Sequence, residues 1–378
     1  MYQYDGTALS VATFTGGAVN PVSYVHAHRK RIYMIERDTQ KFHYGGAGLI
    51  SGGTNVFDLS TTGRFGGNLF IAATISASGG KGPQDLLALI FTSGDVVVYE
   101  GSDPGSLTDW NEVGVFKIGR PLSRRGVLML GNDVVILTER GYESLRVALP
   151  LGYAQPRNKL ISEKIQQEVT DVIRTGGATD EWSLAIYPAQ QMLMVQLPLS
   201  AGWYQHVRNV NTGAWCKFSG LNATAWLNFG TTMFFGTKDG RVCWFDGSSI
   251  DNGAPIKCDA QTAWDFLGVR AQTKQHTMQY LEFDAYSLQT ASISLGVDFA
   301  VPDIGPSAPI SAITGNIALW DSAEWDVSLW SPKSSIIKTW VTNGGVGRCS
   351  SMRVVVNVTT LPVAWAATTY LWIRGGLL

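Results

Sequence analysis

Two histidines one residue apart, His26 and His28, run directly into Arg29, Lys30 and Arg31. Alternate side chains of a strand share a face, so this run could offer two imidazoles to a metal and three cations to a phosphate backbone. No third metal ligand stands at a usable spacing, so the expectation is no metal and no cofactor, with Arg29, Lys30 and Arg31 as a contact to the DNA backbone or simply a solvated strand end. Carboxylates form two further sets: Asp246 with Asp251, and Asp321, Glu324 and Asp326. Paired carboxylates in a central funnel are what a propeller glycosidase uses. Both sets fall in Gly- or Trp-rich stretches, where Asp ordinarily closes a turn with its own side chain. Trp320, Trp325 and Trp330 recur at a spacing that matches neither one strand face nor one helix face. They read as aromatic anchors at a subunit or partner contact, or as platforms for a sugar ring. There is no GxSxG elbow, HExxH pair or EF-hand loop, and Gly79-Gly80-Lys81-Gly82 lacks the rest of a phosphate-binding loop. No catalytic residue is assigned, and the expectation is a protein that is not an enzyme.

Composition narrows the classes. The net charge is -1 over 378 residues, so no bulk basic field exists to hold nucleic acid by counterion release. Charged residues make up only 16%, while Gly (42) and Trp (13) are abundant, which suits a turn-rich β protein with much of its surface covered by neighbours. The four cysteines, Cys216, Cys243, Cys258 and Cys349, show no metal-ligand spacing and read as free buried thiols made in a reducing cytoplasm. A Cys216–Cys243 disulfide is compatible with the sequence and not indicated by it. No apolar run approaches a membrane span, and the first residues lack a secretory signal.

The elements that must position these residues are strands. One phrase, an apolar strand followed by a polar turn and a second strand, recurs with starts at Ile32, Leu89, Val134, Met192 and Met233, intervals of 57, 45, 58 and 41 residues. Such periods point to propeller blades, although a β-sandwich would give similar punctuation. Tyr204 to Gly247 is the fullest example and reads as one four-stranded antiparallel blade, its strongest turn a two-residue primed turn at Asp239-Gly240. Tyr142 to Val147 reads as a strand. Residues 161–174 place Ile161, Ile165, Val169, Val172 and Ile173 on one helical face behind a candidate N-cap, Ser162. The expected fold is all-β: a β-propeller over 1–253 with that one inserted amphipathic helix, and a β-rich C-terminal module over 254–378 that either completes the propeller or forms a sandwich-like domain. Strands are expected at Ala263–Gly268, Met278–Tyr286, Ala291–Phe299, Met352–Thr359 and Thr368–Arg374, with a loop or boundary at the Pro- and Gly-rich 301–315.

A resemblance covers most of the chain. The phrases RIYMIERD, FDLSTTGRFGGNL, TSGDVVVYEGSDPGSLTDWNEVGVFKIGRPLSRR, DVVILTERGYESL, ISEKIQ, QHVRNVNTGAWCKF, FFGTKDGRVCWFDG, WDSAEWDVSLW and the closing RGGLL together resemble the tail nozzle or tail hub proteins of short-tailed bacteriophages. The resemblance implies a structural virion protein, assembled in the host cytoplasm, that forms a ring (a homohexamer by analogy) below the portal and adaptor. Tail spikes or fibres would attach to its flank, and double-stranded DNA would be retained and ejected through its lumen without sequence-specific binding. A neutral-to-acidic chain fits a conduit, because a basic lumen would hold the phosphates, and an acidic lumen is the expectation. The alternative expectations are a glycan-binding or glycan-cleaving propeller of a phage tail, and a generic propeller scaffold for protein partners.

Overall fold

The computed structural model describes residues 2–4, 6–16, 21–62, 64–78, 83–151, 160–198, 200, 204–248, 250–285, 289–305, 307–310, 335–358 and 363–377. The chain divides into two compact units, Met1–Phe245 and Asp246–Leu378, ahead of the expected 253/254 boundary.

Among the described residues of the first unit, five larger sheets follow one another along the chain after the N-terminal hairpin Tyr2–Tyr4 and Leu9–Val11. The first comprises Val22–His28, Arg31–Glu36, Lys41–Gly45 and Gly52–Asp58, with Phe14–Thr15 added in parallel at one edge. The second comprises Leu69–Ser78, Pro83–Phe91, Asp95–Glu100 and Asn111–Lys117, and the third Val127–Leu130, Asp133–Thr138 and Gly141–Ser144. The fourth comprises Ser183–Tyr187, Met192–Gln196, Tyr204–Asn209 and Trp215–Ser219, and the fifth Ala223–Phe229, Thr232–Thr237 and Val242–Phe245. All five phrase starts read from the sequence lie in the second strand of a sheet. Consecutive sheets touch through their first strands, the arrangement of blades around a propeller axis.

Strand alternation explains why the sheets stack. Along Pro83–Phe91, Leu87, Leu89 and Phe91 face the first sheet's Tyr33, Ile35 and Phe42, while Ala88 and Ile90 face the third sheet's Val134 and Ile136. Along Asp133–Thr138 the odd positions, Val135 and Leu137, turn to the fourth sheet's Leu193 and Val195. Met194 then faces Met233 of the fifth. Each interior sheet is therefore apolar on both faces, as a strand covered from two sides must be.

Two helices pack where the three-stranded third sheet ends. Helix α1, Leu145–Leu151, adds Leu145 and Ala148 to the core shared with the second sheet. Helix α2, Gln166–Gly176, buries Val169 and Val172 against the third and fourth sheets, with Ile161, Ile165 and Ile173 packed partly against the same core. This is the expected inserted amphipathic helix. It starts later than the sequence indicated, because 163–165 form a 3-10 turn. Ser162 does not cap it: its hydroxyl accepts from Tyr142 N at 3.1 Å and donates to Gln166 Oε1 at 2.7 Å.

Three local readings are corrected. Tyr204 to Gly247 is not one blade, since its first two strands close the fourth sheet and the rest form the fifth, the break falling at Gly220, whose φ is +91°. The Asp239-Gly240 turn is a longer one, in which Gly240 (φ +83°) donates its N–H to Thr237 O at 3.1 Å. Tyr142 to Val147 leaves the strand at Ser144, where the Ser144 hydroxyl bonds Asp133 and accepts the Val147 N–H at 3.2 Å, turning the chain into α1.

The second unit is built from two facing sheets. One holds Ile250–Asp251, Ala254–Gln261, Ser350–Val358, Gln289–Val297 and Ser307–Ile310; the other holds Ser335–Val341, Gln272–Ala285, Gly345–Gly347 and Val363–Leu377. Leu281, Phe283 and Ile337 meet Ile293, Met352, Val354 and Val356 between them, a sandwich core. Ala263–Gly268, expected as a strand, makes only a bridge from Asp265 to Ser350, and part of the expected 301–315 loop is the edge strand Ser307–Ile310. The chain is thus all-β, a β-propeller with one inserted amphipathic helix and a β-rich C-terminal module.

Lys274 holds that module's sheet end together. It is fully buried, and its ammonium donates to the carbonyls of Val269 (2.7 Å), Gln272 (3.0 Å) and Arg348 (3.0 Å). Three carbonyl dipoles replace the water a buried charge would otherwise lack.

Candidate functional site

The histidine and cation run forms a hairpin between the first two strands of the first sheet. Arg29 and Lys30 are its two turn residues, both left-handed (φ +43° and +64°). That is the primed-turn geometry that Asn-Gly adopts cheaply and long side chains do not. The turn is fixed from outside, because Lys30 O accepts from Gly48 N at 2.7 Å. Arg31 is committed to the fold: it donates to Asp103 Oδ2 at 2.8 Å and to Gly45 O at 3.0 Å. Of the three cations expected at a DNA backbone, the hairpin tip therefore presents Arg29 and Lys30, and Arg31 instead ties the first sheet to the second.

The loop carrying Asp103 is held by Asp109. Its carboxylate accepts from the Ser102 and Asp103 N–H groups (2.7 and 2.9 Å) and the Ser102 hydroxyl (2.8 Å), which lowers its pKa. His26 and His28 do share a face, and what they share is Thr74, whose hydroxyl lies 2.8 Å from His26 Nε2 and 2.9 Å from His28 Nδ1. A hydroxyl has one proton to donate, so it serves two neutral rings by donating to one and accepting from the other. Burial, then for His26 the neighbouring His28 and for His28 the neighbouring Arg29, pushes both pKa values down to about 4. Among the described residues no three His, Cys, Asp or Glu side chains gather as a metal cluster.

His206 repeats the pattern between the third and fourth sheets. Its Nδ1 lies 2.8 Å from the Tyr142 hydroxyl, and burial drives its pKa down to about 4 against the pull of Glu168. Glu168 itself is lowered by its bond from Lys217, 2.9 Å away. These groups hold α2 to the fourth sheet.

Of the sequence-derived carboxylates, Asp246 and Asp251 lie among the described residues. Asp246 (φ +60°) is a turn residue, and Asp251 sits in a short hairpin opposite Ala254. Asp321, Glu324 and Asp326, like Trp320, Trp325 and Trp330, lie outside the described residues. The cysteines are free, Cys349 alone being buried, and Cys216 and Cys243 sit in different sheets, which corrects the reading of all four as buried thiols.

Two surfaces that the sequence reading did not single out are suited to contact. In the second unit a cleft of about 380 Å³ is lined by Thr262, Asp265, Trp365, Thr368 and Tyr370, with Trp365 Nε1 donating to Thr368 Oγ1 at 2.9 Å. Two aromatic rings, three hydroxyls and a carboxylate can hold a polyhydroxyl ring by stacking and hydrogen bonds. In the first unit the outer face of the fifth sheet carries Leu227 (61% exposed), Phe229 (75%), Val242 (77%) and Trp244 (62%). Leu227, Phe234 and Trp244 are register partners in one row across its three strands. The signal was in the residues: along Ala223–Phe229 the odd positions are all apolar and Trp226 stands among the even ones, so large apolar side chains fall on both faces of the strand.

No family model matches the chain, and no curated protein matches it. Among solved structures it is similar to an exo-β-1,3-galactanase from Phanerochaete chrysosporium with galactose (9% identity, TM-score 0.30, covering 90% of this chain and 95% of that one). It is also similar to a glycoside hydrolase family 43 arabinoxylan arabinofuranohydrolase from Bacillus subtilis (9% identity, TM-score 0.25, covering 92% and 94%). The expectation of a chain that is not an enzyme is corrected by this finding, since both of these proteins are glycoside hydrolases.

Proposed function

We propose that the chain is a structural subunit of the tail nozzle of a short-tailed bacteriophage, a ring below the portal and adaptor through which double-stranded DNA is retained and then ejected. The observation that carries this reading is the outer face of the fifth sheet, where four large apolar side chains are more than half exposed. Soluble single chains rarely leave such a patch open, and subunits of permanent assemblies do so routinely. The phrases that resemble those of nozzle proteins support it, and several occupy structurally committed positions. RIYMIERD is the second strand of the first sheet with its Arg31 anchor, and GSDPGSLTDW is the loop that receives that anchor. A net charge of -1 supports a conduit whose wall does not retain phosphates. Light scattering on the purified chain, followed by negative-stain imaging of the same peak, tests the reading. Rings of about six chains, the number the family analogy implies, are expected. Single chains both alone and mixed with adaptor protein would refute it.

A second reading, a glycan-binding or glycan-cleaving propeller of a phage tail, is favoured by the cleft at Asp265, Trp365 and Tyr370. Titration with oligosaccharides should then quench tryptophan fluorescence in the parent chain and leave Trp365→Ala unchanged. Identical responses from the two proteins would remove this reading.

A further inference from the structure

The five sheets of the first unit form a directional series in which each covers the face of the one before. Four buried clusters fill the successive junctions between the first and fifth sheets. Among the described residues no such cluster covers the far side of the fifth. Its outward positions are Ala225, Leu227, Phe229, Thr232, Phe234, Gly236, Val242 and Trp244, and none is charged. A nucleic acid or a strongly charged protein would find no counter-charge there, whereas an apolar sheet edge or face would find what every interior junction offers.

The opposite end of the series has exposed apolar side chains of its own. The N-terminal hairpin Tyr2–Tyr4 and Leu9–Val11 exposes Leu9 (68%) and Val11 (64%), and the outer row of the first sheet, whose middle members Met34 and His43 are buried, exposes only its two ends, Val25 (44%) and Val56 (46%). Lys41 and Asp58 on the same sheet pair at 3.3 Å, so the charges there are already matched.

We propose that the outer face of the fifth sheet docks on the leading end of a second copy of this chain, at Leu9, Val11, Val25 and Val56, so that the stacking of sheets continues from one copy into the next. This rests on the ring reading and names the surfaces that would close it. Large side chains contribute roughly 125 Å² each when half to three-quarters exposed, so the four on the fifth-sheet face offer about 500 Å². With a comparable area opposite, the contact removes about 1,000 Å² in total, the threshold that a specific interface must clear. Because two different surfaces meet, the association is head to tail, and a head-to-tail contact closes into a ring when its rotation permits.

Two variants test this, both altering exposed positions so that near-UV circular dichroism should remain that of the parent: Leu227→Lys with Trp244→Glu on the fifth sheet, and Leu9→Lys with Val11→Glu on the leading end. Light scattering over a concentration series should find the parent chain assembled and each variant at least about 30-fold weaker, the loss that goes with a central aromatic anchor. Mixing the two variants should stop at two chains, because only one intact surface pair remains. A parent chain that is single at every concentration overturns the proposal, including the case in which another part of the same chain covers the face. Rings that persist in both variants overturn these surfaces but leave the nozzle reading in place. Parent dimers dispersed by the variants, in place of rings, support the surfaces and refute the nozzle reading.

Discussion

Mild acid should destabilise the first unit well before its carboxylates protonate. His26, His28 and His206 each have a pKa near 4 in the folded chain, chiefly through burial, against 6.5 when exposed. Between those values the unfolded chain binds the proton and the folded chain does not, so stability is full above pH 6.5 and falls as pH drops toward 4. From pH 8 to pH 5 each imidazole costs about 2 kcal/mol, and the three together about 4 to 6, the range reflecting that His26 and His28 share Thr74. Carboxylates whose pKa is lowered, such as Glu168 and Asp109, lose their contribution only below about pH 4.5, outside this window. Urea unfolding followed by tryptophan fluorescence at pH 8, 7, 6 and 5 measures the slope. His206→Gln should lower stability at pH 8, where it breaks the bond with Tyr142, and should remove roughly a third of the pH dependence. A stability that is level between pH 7 and pH 5, or a slope unchanged in His206→Gln, would refute the reasoning.

Replacing Lys274 with Met should cost about 3 to 5 kcal/mol in thermal or denaturant unfolding, since three buried carbonyls lose their donor at once; a loss below about 1 kcal/mol would mean that water takes the ammonium's place. Gly101→Ala should prevent accumulation of folded protein or cost more than about 3 kcal/mol, because Gly101 sits at φ +128° and an added Cβ collides with the Asp109 carbonyl. Near-parent stability in that variant would refute the tight loop. Exchanging Arg29-Lys30 for Asn-Gly should raise stability by about 1 to 2 kcal/mol by relieving two left-handed long side chains, and a stability unchanged or lowered on chemical unfolding would show that these side chains contribute to the fold.

The propeller was legible because its signal is local. An apolar strand, a turn and a second strand recur at Ile32, Leu89, Val134, Met192 and Met233, and each is the second strand of a real sheet. The alternation in Ile161 to Ile173 likewise located the packed face of α2. Boundaries between sheets were harder to read. Whether the chain at Gly220 ends a sheet or continues it depends on whether Ala223–Phe229 also pairs back onto Trp215–Ser219, and it pairs with Thr232–Thr237 instead. The site readings failed for a related reason. The sequence placed His26 and His28 on one face but could not say that Thr74 would stand opposite, nor that Arg31 would meet Asp103, 72 positions further on.

By itself, then, the sequence determined the all-β class, the repeating unit and the amphipathic helix, since each follows from the spacing of apolar residues a few positions apart. Only the tertiary structure decided which polar groups are consumed in holding sheets together and which apolar face is left over. Those outcomes depend on residues distant in sequence, as when Leu227, Phe234 and Trp244 align across three strands into one exposed row.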